Sequence, residues 1–424
     1  MADLVPEVVP VESEDDLDAQ ADAIAQSNEW GHPQTCPLHI AILKGPSGAI
    51  RMVWTAHHAL IDAWSMSITR SRVASAYAAS GPAREASLPS PGFAQVARYL
   101  AARDHAADRA FWATYLSGAE PLQLLSAARE NKERQAIDAT HLGSVNLSKL
   151  AKQVHTPPST IFLFALAMGL RLLTDQEDIS FGLLLSGRTL PIAGIESIIG
   201  PCINTTICRV ALNDSHTVQT ALMDFQANLD EVNERGYLGL NDLAGAAKVD
   251  SSSIVNALAE YRNLPSTDDS NNSAKALDIF HDSDLTGDDR ANAPLMVSGG
   301  PDPAGGLRIS ASTNTSVMSK DDAQWLLRHI CNILAWMERT GGQEPLQQLN
   351  ILDDAQLDKI MEWSLAPEAQ ALAEQSNTPE LLHQLIEAQV DRTPRKVAIH
   401  CEHDEFLTFE QLNSRAEQVA SSLR

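Results

Sequence analysis

Cysteine is scarce and scattered in this sequence. Its five cysteines (Cys36, Cys202, Cys208, Cys331 and Cys401) include no C-x-x-C pair. That excludes the usual zinc and dithiol motifs, leaves no metal site to expect, and fits a reducing compartment without a disulfide framework. Long hydrophobic runs are missing too. The longest apolar stretch, at 161–173, is interrupted by Arg171 and falls short of the roughly 20 residues that a membrane span needs. The first residues, Met-Ala-Asp-Leu-Val-Pro-Glu, carry no basic region followed by an apolar core, so a cytosolic protein without a secretory leader is expected. Basic residues are the minority: 31 Lys and Arg stand against 55 Asp and Glu, a formal charge of −24. Such a balance repels phosphate backbones and excludes nucleic acid as an expected partner.

What is present suits a globular protein. Hydrophobic residues make up 44% of 424, enough for two or three domain-sized units. Residues 1–37 read as acidic and irregular with one short helix. Runs at 38–43 and 49–55 flank Gly45-Pro46-Ser47-Gly48 and predict a hairpin, followed by a helix over 64–77. A loop at 81–92 precedes helices at 93–102 and 106–116, and the polar stretch 117–141 reads as a linker. Residues 143–150 read as a strand entering a helix, and Pro157-Pro158-Ser159-Thr160 opens an apolar helix to Leu173. A buried strand at 178–185 ends in Ser186-Gly187-Arg188; a strand at 203–212 and an amphipathic helix at 215–235 follow. The Ser-, Asp- and Asn-rich stretch 264–277 predicts a mobile loop. Strands at 293–299 and 306–313 and a helix at 319–339 complete that part. Composition shifts near 340–380, which reads as a linker, and 380–424 reads helix, strand, strand, helix. So short a segment cannot bury a core of its own and reads as the start of a further domain.

The residues with chemistry to offer are His57-His58-Ala59-Leu60-Ile61-Asp62, with Ala63, Trp64 and Ser65 behind them. A histidine at a strand end is held by the sheet, and its near-neutral pKa suits it to accept a proton from an amine or to orient that amine. Asp62 fits an ion pair that fixes the loop and fits equally an ordinary helix N-cap. On the motif alone, packing and chemistry are even alternatives.

The wider pattern resembles a known family. "AHHALIDAWS" is similar to the HHxxxDG motif of condensation domains of nonribosomal peptide synthetases, in a form like the fungal one. Residues 183–210 resemble that family's Ser-Gly-Arg segment and its (I/V)GxFxNTxxxR motif, with Gly200, Asn204, Thr205 and Arg209 in register. "FAQVARYL" (93–100) is weakly similar to the aromatic motif between them, and 382–424 resembles the first stretch of an adenylation domain.

The resemblance implies an α/β architecture of mixed sheets, the two-lobed chloramphenicol-acetyltransferase-like fold, with the site in a tunnel between lobes. It implies an incomplete N-terminal lobe at 1–130, a C-terminal lobe at 131–345, a linker at 346–379 and a truncated adenylation segment at 380–424. His58 would position or deprotonate an acceptor amine. His57 and Asp62 would shape the loop, and Ala63, Trp64, Ser65, Ser186, Gly187, Arg188, Gly200 and Asn204 would support the tunnel. For Arg188 and Asn204 individually, an ordinary buried role is as good a reading. The reaction implied is amide-bond formation between carrier-bound thioesters. The partners would be acyl or peptidyl carrier domains and an adenylation domain of the same or a partner synthetase. Substrates would ride on the 4'-phosphopantetheine of separate carriers. This chain has no GGxS carrier motif and no glycine-rich phosphate loop, so no arm or ATP of its own is expected. The alternatives are a non-catalytic remnant of such a synthetase and a free-standing acyl-coenzyme A-dependent acyltransferase.

Three departures stand out. Ala63 occupies the motif's glycine position, where the added methyl is either tolerated or crowds the tunnel. The family's upstream SxAQxR and RHExLRT segments are absent before His57. The family's motif aspartate pairs with an arginine of the second of these, so Asp62 is expected to lack its partner. The third is the end at Arg424, before any ATP-binding motif of an adenylation domain.

Overall fold

The computed structural model describes residues 6–26, 38–78, 92–124, 136–143, 145–250, 254–262, 293–302, 306–314, 316–349, 351–352, 354–364, 382–400 and 406–423. Two compact units emerge, Met1–Ile351 and Leu352–Arg424.

The first unit holds two separate mixed sheets. The smaller runs β1-β2-β3, from Glu7–Pro10, Leu38–Lys44 and Ile50–Ala56. β2 and β3 form the expected hairpin, antiparallel from Leu38 opposite Ala56 to Lys44 opposite Ile50. Strand alternation sends Ala41, Leu43 and Val53 to one face, where they bury a small core with Val11 and with Leu17 of helix α1 (Leu17–Gln26). β1, parallel to β2, corrects the reading of 1–37 as irregular but for a helix. Its four residues are too few to show a period in an acidic stretch. Ser47 at the hairpin turn donates its backbone N–H to Glu14 at 2.7 Å and its hydroxyl at 2.5 Å. Those bonds hold the Glu14 carboxyl below its ordinary range.

The larger sheet runs β4-β9-β8-β7-β5-β6. Its strands are Ala136–Gly143, Asp178–Leu185, Asn204–Ala211, Ala257–Tyr261, Leu295–Pro301 and Leu307–Asn314, numbered in chain order. β7 lies parallel to both β5 and β8, and the remaining pairs are antiparallel. β4 corrects the linker reading of 117–141. It is an edge strand paired to β9 from Ala136 opposite Asn314 to Gly143 opposite Leu307, and polar residues are ordinary at a sheet edge. The strand expected within 143–150 ends at Gly143. Helix α5 (Leu147–Val154) then starts from Asn146, whose side chain accepts from the Lys149 N–H at 2.9 Å.

The centre of the core is helix α6, Pro158–Thr174. It opens with proline in its first turn, and residues 160–170 are all buried, as a helix apolar all round requires. Phe162, Leu166 and Leu170 pack with Phe181 and Val297 of the sheet and with Leu326 and Ile330 of helix α9 (Lys320–Thr340). Truncating such a residue to alanine costs about 2–5 kcal/mol. Among the described residues no single helix is long and apolar enough to cross a membrane.

Helix α3 (Ala94–Ala101) sets Val96 against Leu190, Ile195 and Ile198. Helix α4 (His105–Tyr115) sets Trp112 against Ile207 of β6 and Val232 of α7 (Val218–Arg235). α8 (Leu240–Ala247) and β7 carry no clear signal in the sequence. The loop expected at 264–277, and that at 81–92 apart from Gly92, lie outside the described residues.

The second unit has a helix Asp354–Ser364 inside the stretch read as linker. Helix Leu382–Arg392, an antiparallel hairpin of Val397–His400 with Phe406–Thr408, and helix Phe409–Leu423 follow as the pattern predicts.

Candidate active site

β3 delivers His57 at its C-terminal end. The chain then turns back on itself, with the Leu60 N–H donating to the His57 carbonyl at 2.9 Å. The Ala59 N–H donates to His57 Nδ1 at 3.1 Å, which places the ring proton of neutral His57 on Nε2. His57 thus braces its own turn, and both His57 and His58 are exposed.

Asp62 ends the turn and opens helix α2, Ala63–Ala78. Its Oδ1 accepts from the Ser65 N–H at 2.8 Å, an N-cap bond. The same carboxylate is an ion-pair partner. Arg188 Nη2 lies 2.8 Å from Oδ1 and 3.0 Å from Oδ2, and the Cys202 N–H donates to Oδ2 at 2.9 Å. Side-chain exposures are 3% for Arg188 and 0% for Asp62. This overturns the expectation of an unpaired Asp62: the partner comes from the Ser-Gly-Arg turn after β5. The cap and ion-pair readings, open alternatives in the sequence, hold together.

Ser65 is wholly buried. Its hydroxyl donates to the Gly200 carbonyl at 2.9 Å and accepts from the Gly200 N–H and from Arg188 Nη2, each at 3.0 Å. Trp64 donates Nε1–H to the Glu196 carbonyl at 3.0 Å, and the Arg188 guanidinium lies 5.3 Å from the centre of its ring, a cation–π contact. Ala63, for which tolerance and crowding were both open, is exposed at the first helical position and has no positive φ. The added methyl therefore carries no left-handed backbone strain and stands exposed.

Glycine is required at 187. Its φ is 66°, and a Cβ there would lie 1.9 Å from the Cys202 carbonyl oxygen. Ser186 Oγ accepts from the Arg188 N–H at 3.3 Å and holds the turn. Gly200 lies against the Phe93 ring, which a Cβ would approach to 2.7 Å. Asn204 faces elsewhere: its amide donates to the Gly236 and Leu238 carbonyls at 2.5 and 3.1 Å, pinning the end of α7. Arg209 meets Asp178, Tyr115 and Ser117 and does not join the histidine turn. Sequence reasoning missed Cys202, whose contribution to Asp62 is a backbone N–H that no side-chain pattern reports. It missed Arg72 as well, which donates to the Ser197 carbonyl at 3.3 Å.

Two cavities, of about 370 and 430 Å³, lie elsewhere, one lined by Tyr99, Arg103, Asp108 and Arg235, the other by Leu122, Asn256 and Pro294. Neither is bounded by His57 or His58. Among the described residues no group of three His, Cys, Asp or Glu side chains could hold a metal ion.

Comparison with known proteins decides the family. The sequence profile of the family described as "Condensation domain" matches residues 7–361. The chain belongs to the condensation-domain family. In nonribosomal peptide synthetases, condensation domains catalyse amide-bond formation, an acyltransferase-type reaction. Among curated relatives, nonribosomal peptide synthetase agiA of Aspergillus flavus is 25% identical over 97% of this chain, and a linear gramicidin synthase polypeptide of Brevibacillus parabrevis is 27% identical over 89%. The chain spans 5% and 7% of their lengths. Among solved structures, holo-AB3403, a four-domain nonribosomal peptide synthetase bound to AMP and glycine, superposes with a TM-score of 0.67 at 16% identity, over 99% of this chain and 33% of that one. The first condensation domain of the calcium-dependent antibiotic synthetase superposes with a TM-score of 0.57 at 16% identity, over 82% and 78%. The two mixed sheets of this condensation-domain chain therefore make the chloramphenicol-acetyltransferase-like fold that the resemblance implied.

Proposed function

We propose that this chain works as the condensation domain of a nonribosomal peptide synthetase, with His58 as the group that handles the acceptor's proton. The observation that carries the reading is the buried Asp62–Arg188 pair, which draws two motifs 126 residues apart in sequence to one place and shapes the turn bearing His58. The acceptor amine attacks the donor thioester carbonyl. The C–N bond forms, the C–S bond breaks, and the amine proton passes to His58 and on to the departing thiolate. Both thioesters are substrates delivered on carrier-domain phosphopantetheine.

On the same reading His57 braces the turn, Arg188, Ser65 and Gly200 hold the loop beside it, and Asn204 supports from a distance. Residues 380–424 are the start of an adenylation domain, and its carrier and adenylation partners belong to the same or a partner synthetase. Support for this comes from the exposed apolar residues Leu385, Val397, Phe406 and Val419, which invite cover by further chain. The named relatives include both fungi and bacteria, so a fungal source rests on the form of the histidine motif. A cytosolic setting is part of the proposal.

The test is amide formation between acyl and aminoacyl thioesters on separately supplied carrier domains. His58→Ala should lower turnover by about 10²–10⁴-fold while leaving the melting temperature within about 2 °C. Equal turnover in the variant would remove His58 from the mechanism. A second reading, a non-catalytic remnant, is favoured by the exposure of His58 and by its absence from the lining of both cavities. It predicts no product with either protein.

A further inference from the structure

We infer that Ser65 is a positioning residue for His58. This rests on the role proposed for His58 but not on any contact between the two side chains.

A serine hydroxyl has one proton to give and two lone pairs to receive with. Ser65 uses all three within the protein, giving to the Gly200 carbonyl and receiving from the Gly200 N–H and from Arg188 Nη2. With 0% exposure no water can substitute for any of them. Both backbone groups of a single residue, Gly200, close on that one oxygen. The result is a clamp on the strap 189–201 rather than a lone tether. Trp64 to Glu196 and Arg72 to Ser197 repeat the attachment along the same helix at 3.0 and 3.3 Å.

The strap in turn belongs to the larger sheet's side, where Leu190, Ile195 and Ile198 are buried against Val96 of α3. On the other side, Ser65 occupies the first turn of α2 and gives its own N–H to Asp62. Only three residues separate Asp62 from His58. The hydroxyl therefore stands where the strap, the guanidinium and the helix start meet. Removing it leaves the buried Gly200 N–H without this acceptor and the Gly200 carbonyl with only the Cys202 N–H, at 2.9 Å, which also serves Asp62. The helix start is then freed to shift, and the histidine turn shifts with it.

The experiment compares Ser65→Ala with the wild-type chain by two readouts. One is the kcat and KM for carrier-borne substrates. The other is the His58 Cε1–H resonance in chain selectively labelled at histidine, assigned by its loss in His58→Gln. The expected result is a fall in kcat of about tenfold to a hundredfold, KM within about twofold, and a displaced His58 resonance in a folded protein. A folded variant with wild-type kcat or an undisplaced resonance overturns the inference. Should Ser65→Ala fail to fold, Ser65→Cys takes its place, keeping a weaker donor and acceptor. Its resonance is expected between those of a displaced and a native turn, and a wild-type resonance overturns the inference. If the wild-type chain forms no amide, the proposed function fails on that ground. The resonance still decides Ser65 by itself.

Discussion

Replacing Arg188 by methionine tests the clasp directly. The variant keeps much of the side chain's apolar length and removes its charge and forked donors. Asp62 then remains in place with 0% side-chain exposure, a carboxylate without its counter-ion. Breaking a buried pair from one side costs about 3–5 kcal/mol. Bonds from the Ser65 and Cys202 N–H groups persist and pull the figure toward the lower end. Loss of the guanidinium over Trp64 adds about 1 kcal/mol. Arg188 Nε is already buried without a hydrogen-bond partner among the described residues, so the native clasp is itself imperfect. The sum is roughly 4 kcal/mol. Asp62→Ala should cost about as much, because it strands the guanidinium and removes the α2 cap, itself worth about 1 kcal/mol. The double variant buries no unpaired charge and should cost clearly less than the two single costs added together, with a coupling of about 2–3 kcal/mol. Urea unfolding followed by tryptophan fluorescence measures all four proteins. The coupling should hold in high salt, since buried pairs are weakly screened. A cost below about 1 kcal/mol for Arg188→Met, or a coupling below about 0.5 kcal/mol, would refute the reasoning.

Three further outcomes follow from single features. Gly187→Ala places a methyl against the Cys202 carbonyl at a φ of 66°; it should cost more than the ~1–2 kcal/mol of the left-handed conformation alone, read from the urea midpoint. Asp214 is held below the ordinary carboxylate range by its bond to Arg171. Its contribution is therefore fully present above about pH 4 and lost as pH falls through the lowered value. Asp214→Asn should flatten that acid limb slightly, the pair being partly exposed. Burial raises the Cys202 thiol and pushes Cys331 up to about 12. Both should resist iodoacetamide at pH 8 until the protein unfolds, as peptide mapping will show.

Legibility in the sequence followed the range of the interaction. α6, β5, β6 and α9 were readable because each carries its own period or an uninterrupted apolar run between turn residues. β1 and β4 were not. They are strands by virtue of the neighbours they pair with, and Glu7–Pro10 is only four residues long. The histidine turn and the Ser-Gly-Arg turn were each visible as motifs. The bond between them was not, because Asp62 and Arg188 are 126 residues apart and nothing local records that the turn after β5 points at the start of α2. The family pattern looked for the partner in an upstream arginine segment that this sequence does not have, and so suggested an unpaired carboxylate. Asn204 shows the converse: it falls in register with a motif, yet its amide is spent on the end of α7.

The clasp also explains how two sheets with separate cores keep one relative position. Among the described residues, none of β1, β2, β3, α1 and α2 packs broadly against a helix or strand of the larger-sheet side. Apolar interfaces are non-directional and tolerate sliding. A polar join is different: Asp62, Ser65, Trp64 and Arg72 meet defined backbone groups and one guanidinium, and a shift of a single residue would leave the buried Asp62 and Ser65 unpaired. The position of His58 relative to the larger sheet is therefore set by hydrogen-bond geometry. An otherwise small change at Gly200 or Ser65 should accordingly move the histidine turn more than the loss of any one methyl from the core would.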